Sequence, residues 1–214
     1  MSTFLEPFAK PVIELLEPKI RKRFKEGRGS GTGKSYKPFL EVRDVPSKGR
    51  VHRRPAITHG RIVHLLSDLE LAAFLLCDWS PSVGDIREQF PLDIQKTLEI
   101  AERIGIKHPQ YKGVNQVMTT DLVIDLEISG EIVTQAISVK YADDLEDKRT
   151  IEKQELERRY WESLGVPWFI FTDHEVPRTF VQNIKWLIPH IHSFDLDEVK
   201  KQDVFLSINH ALQT

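Results

Sequence analysis

The sequence predicts an α/β fold, a mixed central sheet flanked by helices. Three observations point there: the element order helix, strand, helix, hairpin, helix, strand; two adjacent period-two segments separated by Ser129-Gly130; and apolar residues at helical spacing on either side of them. At 214 residues the chain has room for one substantial domain and a small appendage.

In chain order, residues 1–35 read as a basic arm. Lys19 to Lys25 form a basic helical stretch, and the Gly/Ser-rich residues 27–35 a flexible loop able to approach a phosphate backbone. Phe39–Val42 and Gly60–His64 read as strand pieces. A helix runs from Asp68 to about Asp78, with Leu69, Ala72, Ala73 and Leu76 at helical spacing. Val83–Phe90 reads as a strand and Lys96–Ile104 as a helix. Alternation then gives the strands Asp121–Glu127 and Ile132–Lys140, with Ser129-Gly130 as the hairpin turn. A charged amphipathic helix over about Arg149–Leu164 ends at Gly165, before Trp168–Phe171, which reads as a short buried strand. Residues 176–214 form a short C-terminal helical extension, with a helix over about Phe180–Ile191 and an acidic tail capable of one more.

Composition excludes several classes. No apolar run approaches the roughly 20 residues a membrane helix needs, and the N-terminus lacks the basic-then-apolar pattern of a secretory signal. The single cysteine, Cys77, rules out an internal disulfide and a cysteine-rich zinc site and reads as a small core residue. A bacterial, cytoplasmic protein is the expectation. The net charge of −2 hides an asymmetry. Residues 1–64 carry 15 Lys/Arg against 6 Asp/Glu, residues 65–214 carry 15 against 26. A basic leader that touches nucleic acid and a solvated leader both fit that split.

Gly27 to Ser35 imitates a nucleotide-binding P-loop and fails the pattern. Gly33-Lys34-Ser35 would require glycine at position 28, which is Arg28, and no apolar strand precedes it. The acidic residues are more promising. Metal-dependent phosphodiester cleavage needs carboxylates around hard Mg²⁺ ions, with a lysine to orient water or offset transition-state charge. Asp121 on one hairpin strand and Lys140 at the end of the next have that arrangement. Spacing alone leaves open a turn aspartate and a strand-edge lysine. Glu70, three residues after Ser67, likewise fits a helix-capping box.

Seven stretches together resemble the TnsA family, the endonuclease partner in a two-enzyme bacterial cut-and-paste transposase. They are Val45–Arg50, His64–Glu70, Asp85–Pro91, Ile106–Pro109, Val117–Asp121, Glu155–Trp161 and Pro167–Asp173, and the likeness spans about residues 27–190. The resemblance implies a restriction-endonuclease-like PD-(D/E)xK domain, here over residues 36–175. It implies a Mg²⁺-dependent endonuclease, with Mn²⁺ able to substitute, that nicks the 5′ ends of a transposon. A TnsB-like transposase would cut and join the 3′ ends under a TnsC-like ATPase regulator. Carried over by motif, the catalytic residues are Glu70, Asp121 and Lys140. Metal ligands fall on Glu70, Asp121, the Val139 carbonyl and position 138, and Glu157 is a further acidic position near the site.

Position 138 departs from the family pattern, which has glutamine or an acid there. Ser138 is a shorter, neutral ligand, and a second ion would bind weakly. This departure keeps a second reading in view, a catalytically silent architectural subunit bridging transposon-end DNA and the two partners. Longer family members carry a helical C-terminal domain that engages the regulator, and the expectation here is a contact either built differently, through the acidic tail around Asp195–Lys201, or reduced. Similar short proteins accompany CRISPR-guided transposons. Arg43, Lys48, Arg50, Arg53 and Arg54 are candidates for phosphate contacts that position rather than specify.

Overall fold

The longest alternating segments build the centre of the sheet. The computed structural model describes residues 16–45 and 49–193. The expectations for residues 1–15, for Lys48 and for the acidic tail lie outside them. Strands β1 (His52–Pro55) and β2 (Ile62–Leu65) form a separate antiparallel pair. The main sheet comprises β3 (Val83–Pro91), β6 (Thr119–Ile128), β7 (Glu131–Val139) and β8 (Trp168–Phe171), in the order β3-β6-β7-β8. β3 and β7 run antiparallel to β6, and β8 runs parallel to β7, so the sheet is mixed. At the β6–β7 turn Ser129 and Gly130 have φ 54° and 81°. Two consecutive left-handed residues make the tight turn whose twist suits a hairpin.

The parallel step from β7 to β8 requires a crossover, supplied by a 3₁₀ turn at Ala142–Glu146 and helix α4 (Lys148–Glu162). Asp147 caps α4 by accepting from the Thr150 amide at 2.8 Å. Leu156, Tyr160 and Trp161 of α4 join Val123, Ala136, Phe90 and Leu92 in one buried cluster. Ile100 and Ala101 of helix α3 (Ile94–Arg103) complete it. That helix starts two residues earlier than the periodicity suggests, because Asp93 caps it by accepting from Gln95 N–H at 2.8 Å. Helix α2 (Asp68–Trp79) lies between β2 and β3 in the chain, with Leu69, Leu71, Ala72, Phe74 and Leu75 buried.

Four local expectations change. Phe39–Val42 is not a strand: the Phe39 ring is buried and its N–H bonds the Gln89 carbonyl, while Asp44 closes a 3₁₀ turn over Val42–Asp44. The apolar residues there are an anchor rather than one face of a ladder. Trp168–Phe171 is an edge strand, with Phe169 half-exposed, rather than a buried one. The glycine-rich segment, after helix α1 (Pro18–Lys25), is held along β3 instead of hanging free. A Cβ on Gly29 would lie 2.3 Å from Pro91 Cγ, Gly33 N–H donates to Asp85 at 3.0 Å, and the buried Arg28 guanidinium bonds Asp44. The fourth is a short hairpin with no strand signal, β4 (Gln110–Tyr111) with β5 (Val114–Asn115).

Internal contacts divide the chain between Glu175 and Val176. The second unit contains helix α5 (Arg178–Ser193). Among the described residues no helix is long and apolar enough to cross a membrane.

Candidate active site

Three elements bring Glu70, Asp121 and Lys140 to one place. Asp121 is the third residue of β6 and Lys140 directly follows β7, so the β6–β7 ladder sets them side by side. The Asp121 carboxylate accepts from the Val139 amide at 2.7 Å and the Lys140 ammonium at 2.9 Å. The same Nζ donates to the Val139 carbonyl at 2.7 Å. The ammonium therefore bridges one carboxylate and one main-chain oxygen, both hard ligands. Ser138 is fully buried, and its Oγ lies 3.5 Å from Asp121 Oδ2, at the limit of a hydrogen bond.

Glu70 enters from the first turn of α2, where only the Ser67 half of the expected capping box forms. Ser67 Oγ accepts from the Glu70 amide at 3.0 Å, and the Glu70 carboxylate accepts from Leu66 N–H at 2.9 Å. Capping fixes the side chain, and burial changes its chemistry. Desolvation first, and the nearby Asp121 charge second, push its pKa up to about 7. Glu157 on α4 behaves alike: burial and then Asp121 raise it to about 7. It is held by Thr120 Oγ1 at 2.8 Å and by Trp168 Nε1 at 3.3 Å. Burial alone would lower the Lys140 pKa, yet Asp121, Glu157 and Glu70 together hold it above its ordinary value. Two buried carboxyls with raised pKa and the Asp121 carboxylate thus surround one cation, the pattern expected of acid–base or metal-binding chemistry rather than of surface charge.

Gln89 belongs to this group and was not anticipated. It is a fully buried non-glycine residue with φ 49°, a conformation that L side chains rarely adopt. Its amide donates to Glu70 Oε2 at 3.1 Å and accepts from Thr119 Oγ1 at 3.2 Å, tying α2 to β6. The one available signal was a glutamine inside an otherwise well-packed strand.

The basic candidates are dispersed. Arg43 pairs with Glu41 at 2.7 Å and is largely exposed. Arg50 reaches Asp68, in the first turn of α2 beside Glu70, at 2.9 Å, and His52 bonds the same carboxylate at 2.8 Å. Arg53 is exposed on β1 opposite His64, and Arg54 is half-buried. Among the described residues no three His, Cys, Asp or Glu side chains converge closely enough to hold an ion alone. An ion at this site would have to draw on the Val139 carbonyl as well.

Residues 80–173 match the family model described as TnsA-like endonuclease N terminal. The chain is also 53% identical over 179 residues to the Escherichia coli transposon Tn7 transposition protein TnsA. That alignment covers 84% of this chain, which spans 65% of the relative's length. The matched region contains Asp121, Lys140 and Glu157, so residues 80–173 carry a TnsA-like endonuclease region with most of the candidate site inside it.

Proposed function

We propose that the chain is a Mg²⁺-dependent DNA endonuclease that nicks the 5′ ends of a transposon, on a restriction-endonuclease-like fold. It acts with a TnsB-like transposase and a TnsC-like ATPase. The observation that carries the reading is the Lys140 ammonium lying on both Asp121 Oδ2 and the Val139 carbonyl, at 2.9 and 2.7 Å. A cation already prefers the two oxygens that the family motif assigns to metal. The oxygen-only donor set and the absence of thiolates suit a hard ion. Glu70, Asp121 and the Val139 carbonyl would hold it, with Mn²⁺ as a substitute. When bound, such an ion polarises the phosphate and lowers the pKa of water.

The chain's own residues do the rest. Glu70 is kept in place by Ser67, Leu66 N–H and Gln89. Its pKa of about 7 belongs to the metal-free protein, so taking up the ion would release the proton and leave a carboxylate ligand. Once oxygen ligands are otherwise engaged, Lys140 is free to turn its ammonium to the scissile phosphate and offset developing charge. Asp121 first, and Glu157 where it is ionised, keep Lys140 protonated against the effect of burial.

The test is strand-specific cleavage of a labelled transposon-end duplex with both partners and Mg²⁺, comparing the native chain with Asp121→Ala. The expected result is 5′-strand cutting that disappears in the variant while 3′ cutting persists. Ser138 favours the second reading, an architectural subunit bridging end DNA and its partners. That reading takes over if the native chain makes no 5′ cut even with Mn²⁺.

A further inference from the structure

The short β4–β5 hairpin is anchored at its base and presents its tip to solvent. Lys112 and Gly113 have φ 49° and 81°, the conformation of a two-residue hairpin turn. Below the tip, Gln110 donates to Asn115 at 3.1 Å and Gln116 N–H to the Pro109 carbonyl at 2.9 Å. Buried His108 bonds Thr97 of α3 at 3.0 Å, and Leu92 N–H bonds the Met118 carbonyl at 2.8 Å. The tip itself carries Tyr111, 63% exposed, with the Lys112 ammonium 5.5 Å from its ring centroid. A large exposed aromatic beside a cation on an anchored two-strand ribbon has no role in the core.

Charge and position suggest its partner. Residues 103–120 contain Arg103, Lys107 and Lys112 and no acid, within a half of the chain that is otherwise strongly acidic. The hairpin leads directly into Thr119, whose hydroxyl bonds Gln89, and Asp121 follows two residues later. Asn115 is six residues from Asp121, so it lies within about 20 Å of the candidate active site. A two-stranded ribbon fits the major groove of duplex DNA. Tyr111 and Val114 form too small an apolar patch for a stable protein interface, which takes on the order of 800 Å² per partner.

We propose that the β4–β5 hairpin enters the groove of the transposon-end duplex beside the cut phosphate, with Lys112 on a backbone phosphate and Tyr111 against sugar and base edges. The proposal rests on the nuclease reading and adds a contact that the catalytic residues do not supply. It is tested by fluorescence anisotropy of the full chain on a labelled transposon-end duplex between 50 and 200 mM salt. Lys112→Asn removes the charge but leaves Asn-Gly, a preferred pair for this turn, so lost binding cannot be ascribed to a lost hairpin. We expect affinity to fall about 3- to 10-fold for Lys112→Asn and for Tyr111→Ala, with the salt slope reduced by about one for the lysine variant alone. A 5-iodouracil-substituted duplex should photo-crosslink at Tyr111. Unchanged affinity and no crosslink in this segment overturn the proposal, even where Asp121→Ala abolishes cutting and the nuclease reading stands. Intact DNA binding with lost retention of the partner transposase also overturns it, assigning the hairpin to a protein. If Asp121→Ala cuts like the native chain the nuclease reading falls, while anisotropy and crosslinking still decide the hairpin.

Discussion

The molecule contains two hairpins with the same turn and different consequences. Ser129-Gly130 between β6 and β7, and Lys112-Gly113 between β4 and β5, each place two successive residues at positive φ. The first turn joins strands in register from Leu122–Ile137 to Ile128–Glu131, inside a four-stranded sheet. The second joins only Gln110–Asn115 and Tyr111–Val114. The long ladder fixes Asp121 against Val139 and Lys140, whereas the short one depends on side chains at its base, above all His108 on Thr97. Turn geometry reverses a chain; ladder length decides whether the hairpin carries a rigid site or a finger.

That division predicts opposite effects when each hairpin is damaged. Lys140→Ala in the long hairpin removes the ammonium that meets Asp121 and the Val139 carbonyl. The 5′-cutting rate in single-turnover assays should fall by about 100-fold or more, since removing one transition-state donor typically costs that much. Duplex affinity should stay within about twofold, because the Lys140 ammonium is already held by Asp121 and the Val139 carbonyl and adds little to ground-state phosphate contact. Hairpin-tip variants should show the reverse, weaker binding with the cutting step intact. A Lys140→Ala protein that cuts within about threefold of native would break both the comparison and the active-site assignment.

The same contrast explains what the sequence revealed. That Asp121 and Lys140 meet was legible because a long period-two alternation fixes register, whereas their role as site residues came only with the family resemblance. Glu70 was ambiguous because it sits at the capped start of α2, where Ser67 accepts from its amide, and also stands beside Asp121. Only tertiary packing shows the second. Gln89 was invisible because positive φ and the span from Glu70 to Thr119 depend on an edge strand meeting a helix distant in sequence. The β4–β5 hairpin went unseen because two-residue strands show no alternation and Lys-Gly is a weaker turn signal than Asn-Gly. Phe39–Val42 misled for the opposite reason: Phe39 alone is buried, Leu40 and Val42 only partly so, and the segment has no ladder partner.

A smaller effect should come from the proton equilibria that the long hairpin imposes. Glu157 is raised from 4.5 to about 7 by burial and Asp121, so between those values the folded protein binds a proton that the unfolded chain has lost. Its contribution to stability is therefore complete below about pH 4.5 and disappears as pH rises through 7. Buried His59 and His108 and partly buried His64, lowered mainly by desolvation, act in the other direction below pH 6.5. The informative quantity is thus the difference between native protein and Glu157→Gln, whose amide oxygen can still accept from Thr120 and Trp168. In metal-free thermal melts from pH 5 to 7.5, the variant should gain on the native chain by roughly 1–3 kcal/mol as pH rises. A constant difference across that range would mean that Glu157 is ionised throughout and that Asp121 does not press on it.

The smallest effect isolates the turns themselves. Gly130 and Gly113 share φ 81°, and neither has a neighbouring atom that an added Cβ would strike, so alanine at either position meets the same local conformational penalty. What differs is how the penalty is transmitted. The β6–β7 turn closes the ladder at the centre of the sheet, and it cannot open without releasing strand register that the core requires. Gly130→Ala should therefore lower global stability by about 1 kcal/mol in urea unfolding, with an unchanged slope. The β4–β5 tip can fray while His108 and the Pro109–Gln116 bond keep the base closed, so Gly113→Ala should move the global midpoint by less than about half as much. Its cost should instead appear as faster amide exchange at Lys112 to Asn115. Equal midpoint shifts for the two variants would show that the short hairpin is as tightly coupled to the core as the long one, and that ladder length is not what separates them.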